Sequence, residues 1–163
     1  MFEESNHPKI SVLIPVYNVE KYVRRCLFSV LNQTMQEGVE VIIVNDCTPD
    51  HSMEEIFEAL RAYSGNERGE KGSVRVETHA TTHGQAVVRN TAMNYATGDY
   101  VIHVDSDDWI EPDMLEKLYA CAMDTKADIV CCNISLEYKS RQENLCYPYK
   151  EEQYKDLLYI DVL

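Results

Sequence analysis

No Gly-x-Gly-x-x-Gly run and no Gly-Lys-Ser/Thr loop occurs in the 163 residues. The two glycine-rich cradles that most often hold a dinucleotide or a triphosphate are missing, which disfavours dinucleotide oxidoreductases and P-loop enzymes. Basic residues are also few: fifteen Lys and Arg stand against twenty-eight Asp and Glu, a net charge of −13. That balance argues against nonspecific binding to nucleic acid or to an anionic membrane surface. An anionic ligand would need local positive charge, which a metal and a few placed Arg residues can supply. The six cysteines show no Cys-x-x-Cys spacing, and three lie inside apolar runs. Buried free thiols in a reducing compartment are expected, rather than a zinc site. No apolar stretch approaches the ~20 residues that cross a bilayer, and no N-terminal segment joins a basic region to an apolar core. The expected location is cytoplasmic or peripheral to a membrane, and a longer, membrane-tethered protein could contain this piece.

What is present is the composition of a single folded domain, with an apolar share of 45%. The most informative stretch runs from Tyr100 to Trp109. Its β-branched start, Tyr-Val-Ile-His-Val, has the character of a buried strand and ends abruptly in Asp105, Asp107 and Asp108. Carboxylates this close repel one another unless they are well solvated or share a cation. A divalent metal would relieve the repulsion, and Mg²⁺ in particular is often held by one or two carboxylates together with substrate phosphates. The alternative is that Asp107 or Asp108 caps a helix opened by Pro112.

The rest of the chain alternates strand and helix patterns. Ile10 to Ile14 forms an apolar strand that Pro15 is expected to end, since proline cannot donate to a central ladder. Asn18 is a plausible N-cap for a helix with Tyr22, Val23, Cys26, Leu27, Val30 and Leu31 on one stripe. Val39 to Val44 is a second strand, ending in Asn45-Asp46-Cys47-Thr48-Pro49-Asp50. Ser52 and Glu55 make a capping-box pattern ahead of a helix with Ile56, Phe57 and Leu60 on its apolar face. A surface loop over 64–72 precedes a short strand over 74–77. A helix over 85–96 carries Arg89 beside its apolar face, with Gly98 as its expected C-terminal cap. Pro112 opens another helix bearing Met114, Leu115, Leu118, Tyr119 and Ala122, and 128–133 reads as a fifth strand. Beyond Ser135 the pattern weakens into a charged, tyrosine-rich tail with one short helix expected over 151–160.

Strands alternating with helices predict an open, mostly parallel α/β sheet. Ligands of such sheets bind outside the carboxyl ends of the strands, near the point where strand order reverses. The unusual residues fall at that edge: Tyr17 and Asn18, Asp46 and Asp50, the 82–89 segment, and the acids after the fourth strand. An aromatic offers a stacking platform for a base, and an ionised Asp accepts from a ring N–H. His79, His83 and His103 are read as structural or surface residues.

In this order and spacing, Ile14-Pro15-Val16-Tyr17-Asn18, Asn45 to Asp50, Gly84 to Arg89-Asn90 and Asp105-Ser106-Asp107-Asp108 resemble inverting family 2 glycosyltransferases with the GT-A fold. The resemblance covers about residues 8–135. It implies a Rossmann-like three-layer sandwich and a nucleotide-diphospho-sugar donor, commonly a uridine diphosphate sugar, bound with Mn²⁺ or Mg²⁺. The sugar would pass with inversion to the hydroxyl of a saccharide or lipid-linked saccharide in polysaccharide assembly. The implied donor-site residues are Pro15 and Tyr17 against the base with Asn18 beside them, Asp46 on the uracil edge, Asp50, Gly84, Arg89, and Ser106. Asp105 and Asp107 match the Asp-x-Asp pair that serves ribose and metal.

Thr82 stands where the family usually has Asn. The general base of an inverting transferase lies in the family on the acceptor-binding half, so it is expected beyond Leu163. The division implied is an N-terminal tail over 1–8, a nucleotide-sugar-binding domain over 9–135, and the start of an acceptor-side region over 136–163, in a chain read as a truncated catalytic domain of hexosyltransferase type. A noncatalytic nucleotide-sugar-binding or interaction module is the alternative. A nucleotidyltransferase shares the nucleotide and metal chemistry but needs a Gly- and Lys-rich loop near the first strand, absent here.

Overall fold

The structure is a computed structural model that describes residues 7–35, 37–64, 73–138 and 141–145. β1 (Ile10–Val16) lies at the centre, with β2 (Val39–Asn45) on one side and β4 (Tyr100–His103) on the other; β3 (Ser73–Thr78) lies outside β2. All pairings in this four-stranded sheet are parallel, in the order β3-β2-β1-β4. The chain winds outward from β1 to β3 and then returns to the far side of β1. The strand order therefore reverses between β1 and β4.

Both faces of the sheet are covered, which is why the central strands read as continuous apolar runs. Val12, Ile14 and Val16 of β1 point to the face that holds α1 (Val23–Leu31), α2 (Ser52–Ser64) and α4 (Met114–Thr125), where Leu27, Ile56 and Leu115 complete the core. Leu13 points the other way, with Ile42 and Val44, to meet Val88 and Ala92 of α3 (Gln85–Tyr95). Each fully buried aliphatic side chain contributes roughly 1.5–3 kcal/mol. The larger of the two cores is the side with three helices.

Pro15 does not end the first strand: β1 continues through Pro15, paired with Val44, to Val16. The reason is parity. Leu13 presents its carbonyl to Val104 on the β4 side, and Pro15, two residues on, faces the same side. The β4 ladder stops at His103, so no partner there needs a donor from Pro15. Nor is β4 fully buried; it alternates, with Val101 38% exposed.

Other expectations are corrected. Asn18 is not a helix cap: α1 begins at Val23, and Asn18 sits in a left-handed turn at φ 56°. Phe57 lies on the exposed side of α2, whose buried face is Ile56, Ala59 and Tyr63. Ser52 forms no capping box; its backbone N–H donates to Asp50. α3 ends at Tyr95 with Ala96 as its cap, and Gly98 serves another purpose: a Cβ there would stand 2.8 Å from the Ser11 backbone nitrogen. Neither Asp107 nor Asp108 caps the following helix, whose N-cap is Asp113.

Residues 128–133 form no strand. They follow Lys126 in the left-handed conformation and leave Ile129 half exposed beside β4, so the apolar run reports contact with a neighbour rather than a ladder. The next regular element is an antiparallel hairpin, β5 (Ile134–Tyr138) with β6 (Arg141–Leu145), where a charged, tyrosine-rich tail of weakening pattern was expected. Cys26 is buried as expected, but Cys47, Cys121, Cys131 and Cys132 are exposed. His7 and Pro8, assigned to the tail, are joined to Asp99 by a side-chain contact of 3.0 Å and a backbone hydrogen bond of 3.2 Å. Of the expected loop over 64–72, Ser64 is the last residue of α2, and 65–72 lie outside the described residues, as do the helix over 151–160 and Cys146.

Candidate functional site

Because the four strands are parallel, their carboxyl ends share one rim, and the loops that leave them carry the chemically distinctive residues. At the end of β1 the Tyr17 ring is 49% exposed, next to Asn18. An exposed aromatic at a strand end is free to stack on a flat ligand. Pro15, two residues earlier, is buried within β1.

Asp46, one residue past β2, is buried to 2% exposure. Its Oδ1 accepts from the His83 N–H at 2.9 Å and contacts His79 Nδ1 at 2.9 Å; its Oδ2 accepts from the Gly84 N–H at 2.8 Å and the His83 N–H at 3.1 Å. Burial alone would push this carboxyl up. The His79 side chain and the two N–H groups outweigh burial and hold it below the usual range, so it is ionised. A carboxylate only accepts, so His79 donates from Nδ1 and its Nε2 meets Thr91 Oγ1 at 3.0 Å on α3. Asp46 thus holds the 79–84 loop in front of α3. Gly84, at φ 88°, supplies the left-handed turn into that helix.

The loop after β2 also grips the loop after β1. Thr48 Oγ1 accepts from the Asn18 N–H at 2.8 Å, Ser52 Oγ from the Val19 N–H at 3.0 Å, and Asp50 Oδ2 from the Glu20 N–H at 2.9 Å. Burial raises the Asp50 carboxyl, but the Ser52 and Thr48 hydroxyls and two backbone N–H groups bring it well below the carboxylate range.

The acids after β4 are held quite differently. Asp105 is bound by Arg89, whose Nη2 donates to Oδ1 at 2.7 Å. A tight turn follows, closed by the Asp108 N–H on the Asp105 carbonyl at 3.0 Å, with Ser106 buried inside it and Asp107 and Asp108 facing solvent. Partial burial, then the charges of Asp107 and Asp105, raise the Asp108 carboxyl. The cluster is thus electrostatically strained, with one guanidinium against three carboxylates. Arg89 Nε is buried and has no partner among the described residues. Beneath the turn the Cys26 thiol donates to the Asp105 carbonyl at 3.5 Å, and burial followed by the three nearby acids pushes it up to about 12. It is therefore a poor nucleophile and a poor metal ligand at neutral pH. Burial and the Arg89 charge lower His103, against the pull of Asp105.

Every site residue expected from sequence lies on this rim. The Asn18–Glu20 turn after Tyr17 meets Thr48, Asp50 and Ser52; Asp46 meets Gly84, His79 and His83; Arg89 meets Asp105. Asp107 takes no hydrogen bond or ion pair from another described side chain. No group of three or more His, Cys, Asp or Glu among the described residues is placed to cage an ion. A cation here would be held by one or two carboxylates, which is the hard-oxygen chemistry of Asp105 and Asp107 completed by a ligand's own oxygens. Sequence reasoning gave His79, Thr48 and Ser52 no place in the site: it reads His79 as structural or surface and Ser52 as half of a capping box. Thr and Ser flanking an Asp at a strand end are the signal that could have found the last two, because such hydroxyls bind nearby backbone N–H groups.

The family model "Glycosyl transferase family 2" matches residues 11–154. EpsH of Bacillus subtilis, which bears a glycosyltransferase name, is 36% identical over 149 residues, covering 89% of this chain and 40% of its own length. The crystal structure of S. aureus TarS 1-349 in complex with UDP-GlcNAc superposes with a TM-score of 0.64 at 33% identity, covering 74% of this chain and 32% of that one. A mannosyltransferase, PcManGT of Pyrobaculum calidifontis, solved in complex with GDP-Man and Mn²⁺, shares the fold at 22% identity and a TM-score of 0.53, over 64% of this chain and 29% of that one. The chain thus spans less than half the length of these proteins. A four-stranded parallel sheet wound 3-2-1-4, with this rim and these likenesses, makes the chain a member of glycosyl transferase family 2 with the GT-A fold.

Proposed function

We propose that this chain is the donor-binding part of a metal-dependent, inverting glycosyltransferase of hexosyl type that uses a uridine diphosphate sugar. The observation that carries this is the neighbourhood of β1 and β4. The exposed Tyr17 ring and the Asp105–Asp108 turn leave adjacent strands, at the point where strand order reverses. A base on Tyr17 and a diphosphate at the acids would lie along that crevice.

Pro15 and Tyr17 bound the base in this assignment, with Asn18 beside it. A uracil N–H that reached Asp46 would replace one of the four contacts that now fill its lone pairs. Asp105 takes the ribose, and Ser106 and Gly84 shape the walls of the site. Asp107 would hold Mn²⁺ or Mg²⁺ with help from Asp105, and the ion would supply Lewis-acid stabilisation for the charge on a leaving diphosphate. Arg89 adds a second positive group on the Asp105 side. The acceptor is a saccharide or lipid-linked saccharide, and residues after 135 begin its side of the protein. Inversion needs a base at the acceptor hydroxyl, and none is assigned among the described residues.

The test is calorimetric titration with uridine diphosphate, with and without Mn²⁺. Metal-dependent binding is expected, and Asp107→Ala should weaken it by about a hundredfold while leaving the fold intact. Affinity indifferent both to Mn²⁺ and to Asp107→Ala would overturn the assignment.

A further inference from the structure

We infer that Thr48, Asp50 and Ser52 are positioning residues that shape the Tyr17–Asn18 turn for the base, and that Asp50 itself does not touch the donor. The inference rests on the donor-site assignment above and changes the role of one of its residues.

The turn after β1 presents three consecutive backbone N–H groups, on Asn18, Val19 and Glu20, and each meets a different side-chain oxygen from the loop after β2: Thr48 Oγ1, Ser52 Oγ and Asp50 Oδ2. Asp50 sets the polarity of the other two. Thr48 Oγ1 and Ser52 Oγ each donate their single proton to Asp50 Oδ1, both at 2.6 Å. With its proton committed, a hydroxyl can only accept in its remaining directions, and those face the Asn18 and Val19 N–H groups. The carboxylate therefore converts two ambivalent hydroxyls into fixed acceptors. The contact is returned once, by the His51 N–H donating to Glu20 Oε2 at 3.2 Å.

The turn needs such a clamp. Asn18 has φ 56°, a region that costs a non-glycine residue free energy although Asn tolerates it best. Tyr17 precedes it with a largely exposed ring, so little packing fixes the ring's direction. An aromatic platform whose backbone is held before the ligand arrives loses less entropy on binding. Asp50, meanwhile, is largely committed within the clamp: Oδ1 accepts from both hydroxyls and the Ser52 N–H, and Oδ2 accepts from the Glu20 N–H, which leaves one lone-pair direction on Oδ2.

The discriminating variants are Thr48→Val, which keeps the shape and removes the hydroxyl, Thr48→Ser, which restores it, and Asp50→Asn. An amide at 50 must turn its NH₂ toward either the two hydroxyls or the Glu20 N–H, so one side of the clamp is lost. Hydrogen exchange of the Asn18, Val19 and Glu20 amides should quicken by about tenfold in Thr48→Val and Asp50→Asn, with the amides of β1 and β2 unchanged. Titration with uridine diphosphate and Mn²⁺ should show affinity weakened by about fivefold in both, with Thr48→Ser near the parent, and uridine alone should lose the same factor. Three results overturn the inference: amides that exchange at the parent rate, nucleotide affinity that survives Thr48→Val, or an Asp50→Asn loss seen with the diphosphate and not with uridine. Absence of nucleotide binding by the parent protein would overturn the donor-site assignment and the positioning role with it, whereas binding that is indifferent to Thr48→Val overturns the positioning role alone.

Discussion

The two edges of the main sheet treat their carboxylates in opposite ways. At the amino edge, Glu40 accepts from the Ser11 hydroxyl at 2.6 Å, the Thr97 N–H at 2.7 Å, the Thr97 hydroxyl at 3.0 Å and the Gly98 N–H at 3.2 Å. Burial raises this carboxyl, and those donors more than offset it and lower it. At the carboxyl edge, Asp107 and Asp108 face solvent, and Asp108 is raised by burial and by its acidic neighbours. The chain's own donors stabilise the first edge, and the second keeps an electrostatic cost that a cation would remove. Asp46 and Asp50 show that position on the rim does not decide the matter. Both sit at the carboxyl edge yet are satisfied in the manner of Glu40. Satisfied carboxylates shape a fold and take a ligand only by giving up a contact, as proposed for Asp46; unsatisfied ones are free to take a ligand directly.

This contrast is easiest to break at the amino edge. Gly98→Ala would place a methyl group 2.8 Å from both the Ser11 nitrogen and hydroxyl, and 2.9 Å from the Ile10 carbonyl carbon. Backbone there cannot yield cheaply, so a loss of about 3 kcal/mol is expected in denaturant unfolding. Nucleotide affinity of the folded fraction should be unchanged. Glu40→Ala, which leaves the Ser11 hydroxyl and the Thr97 and Gly98 N–H groups without their acceptor, should cost about 2 kcal/mol.

The same residue carries a pH signature. Glu40 has a lowered folded pKa, so its contribution is present above the unfolded carboxylate value and is lost as pH falls through the lower folded value. Glu40→Gln should flatten the acid limb of a stability–pH curve. Asp108 has the opposite sign: its folded pKa is raised, so its ionisation destabilises the fold as pH rises through the ordinary carboxylate range. Asp108→Asn should therefore leave stability equal to the parent or raise it by up to about 0.5 kcal/mol at neutral pH, read from denaturant midpoints. A clear loss of stability in Asp108→Asn would remove the distinction between the two edges.

Much of the frame was legible without coordinates, for a simple reason. β1 and β2 are covered on both faces, so their residues must be apolar at nearly every position, and no tertiary information is needed to see a strand there. The acids after β4 were legible as a cluster because three like charges within four positions repel one another whatever the fold. Pro15 was misread because the rule about proline depends on whether a neighbour strand is still present on its side, and β4 ends two residues earlier in register. Gly98 was read as a helix cap, although its missing side chain answers to Ser11, far away in sequence. The apolar run over 128–133 was taken for a strand because short apolar runs report burial without reporting its geometry.

Hydrophobic pattern and strand–helix alternation, both local, were enough to establish a parallel α/β sheet and to put an aromatic, several acids and an arginine at its carboxyl rim. Which of those acids are free was settled by folding alone. The partners of Asp46 come from 33 to 38 residues away and those of the Asn18–Glu20 turn from 30 to 33 residues away, and hydrogen bonds across such separations leave no period or spacing in the chain to be read. Saturation of a carboxylate is a property of its surroundings in space. For that reason Asp50 and Asp107, the same residue type after strands of one sheet, are held so differently, the first filled by hydrogen bonds and the second facing solvent.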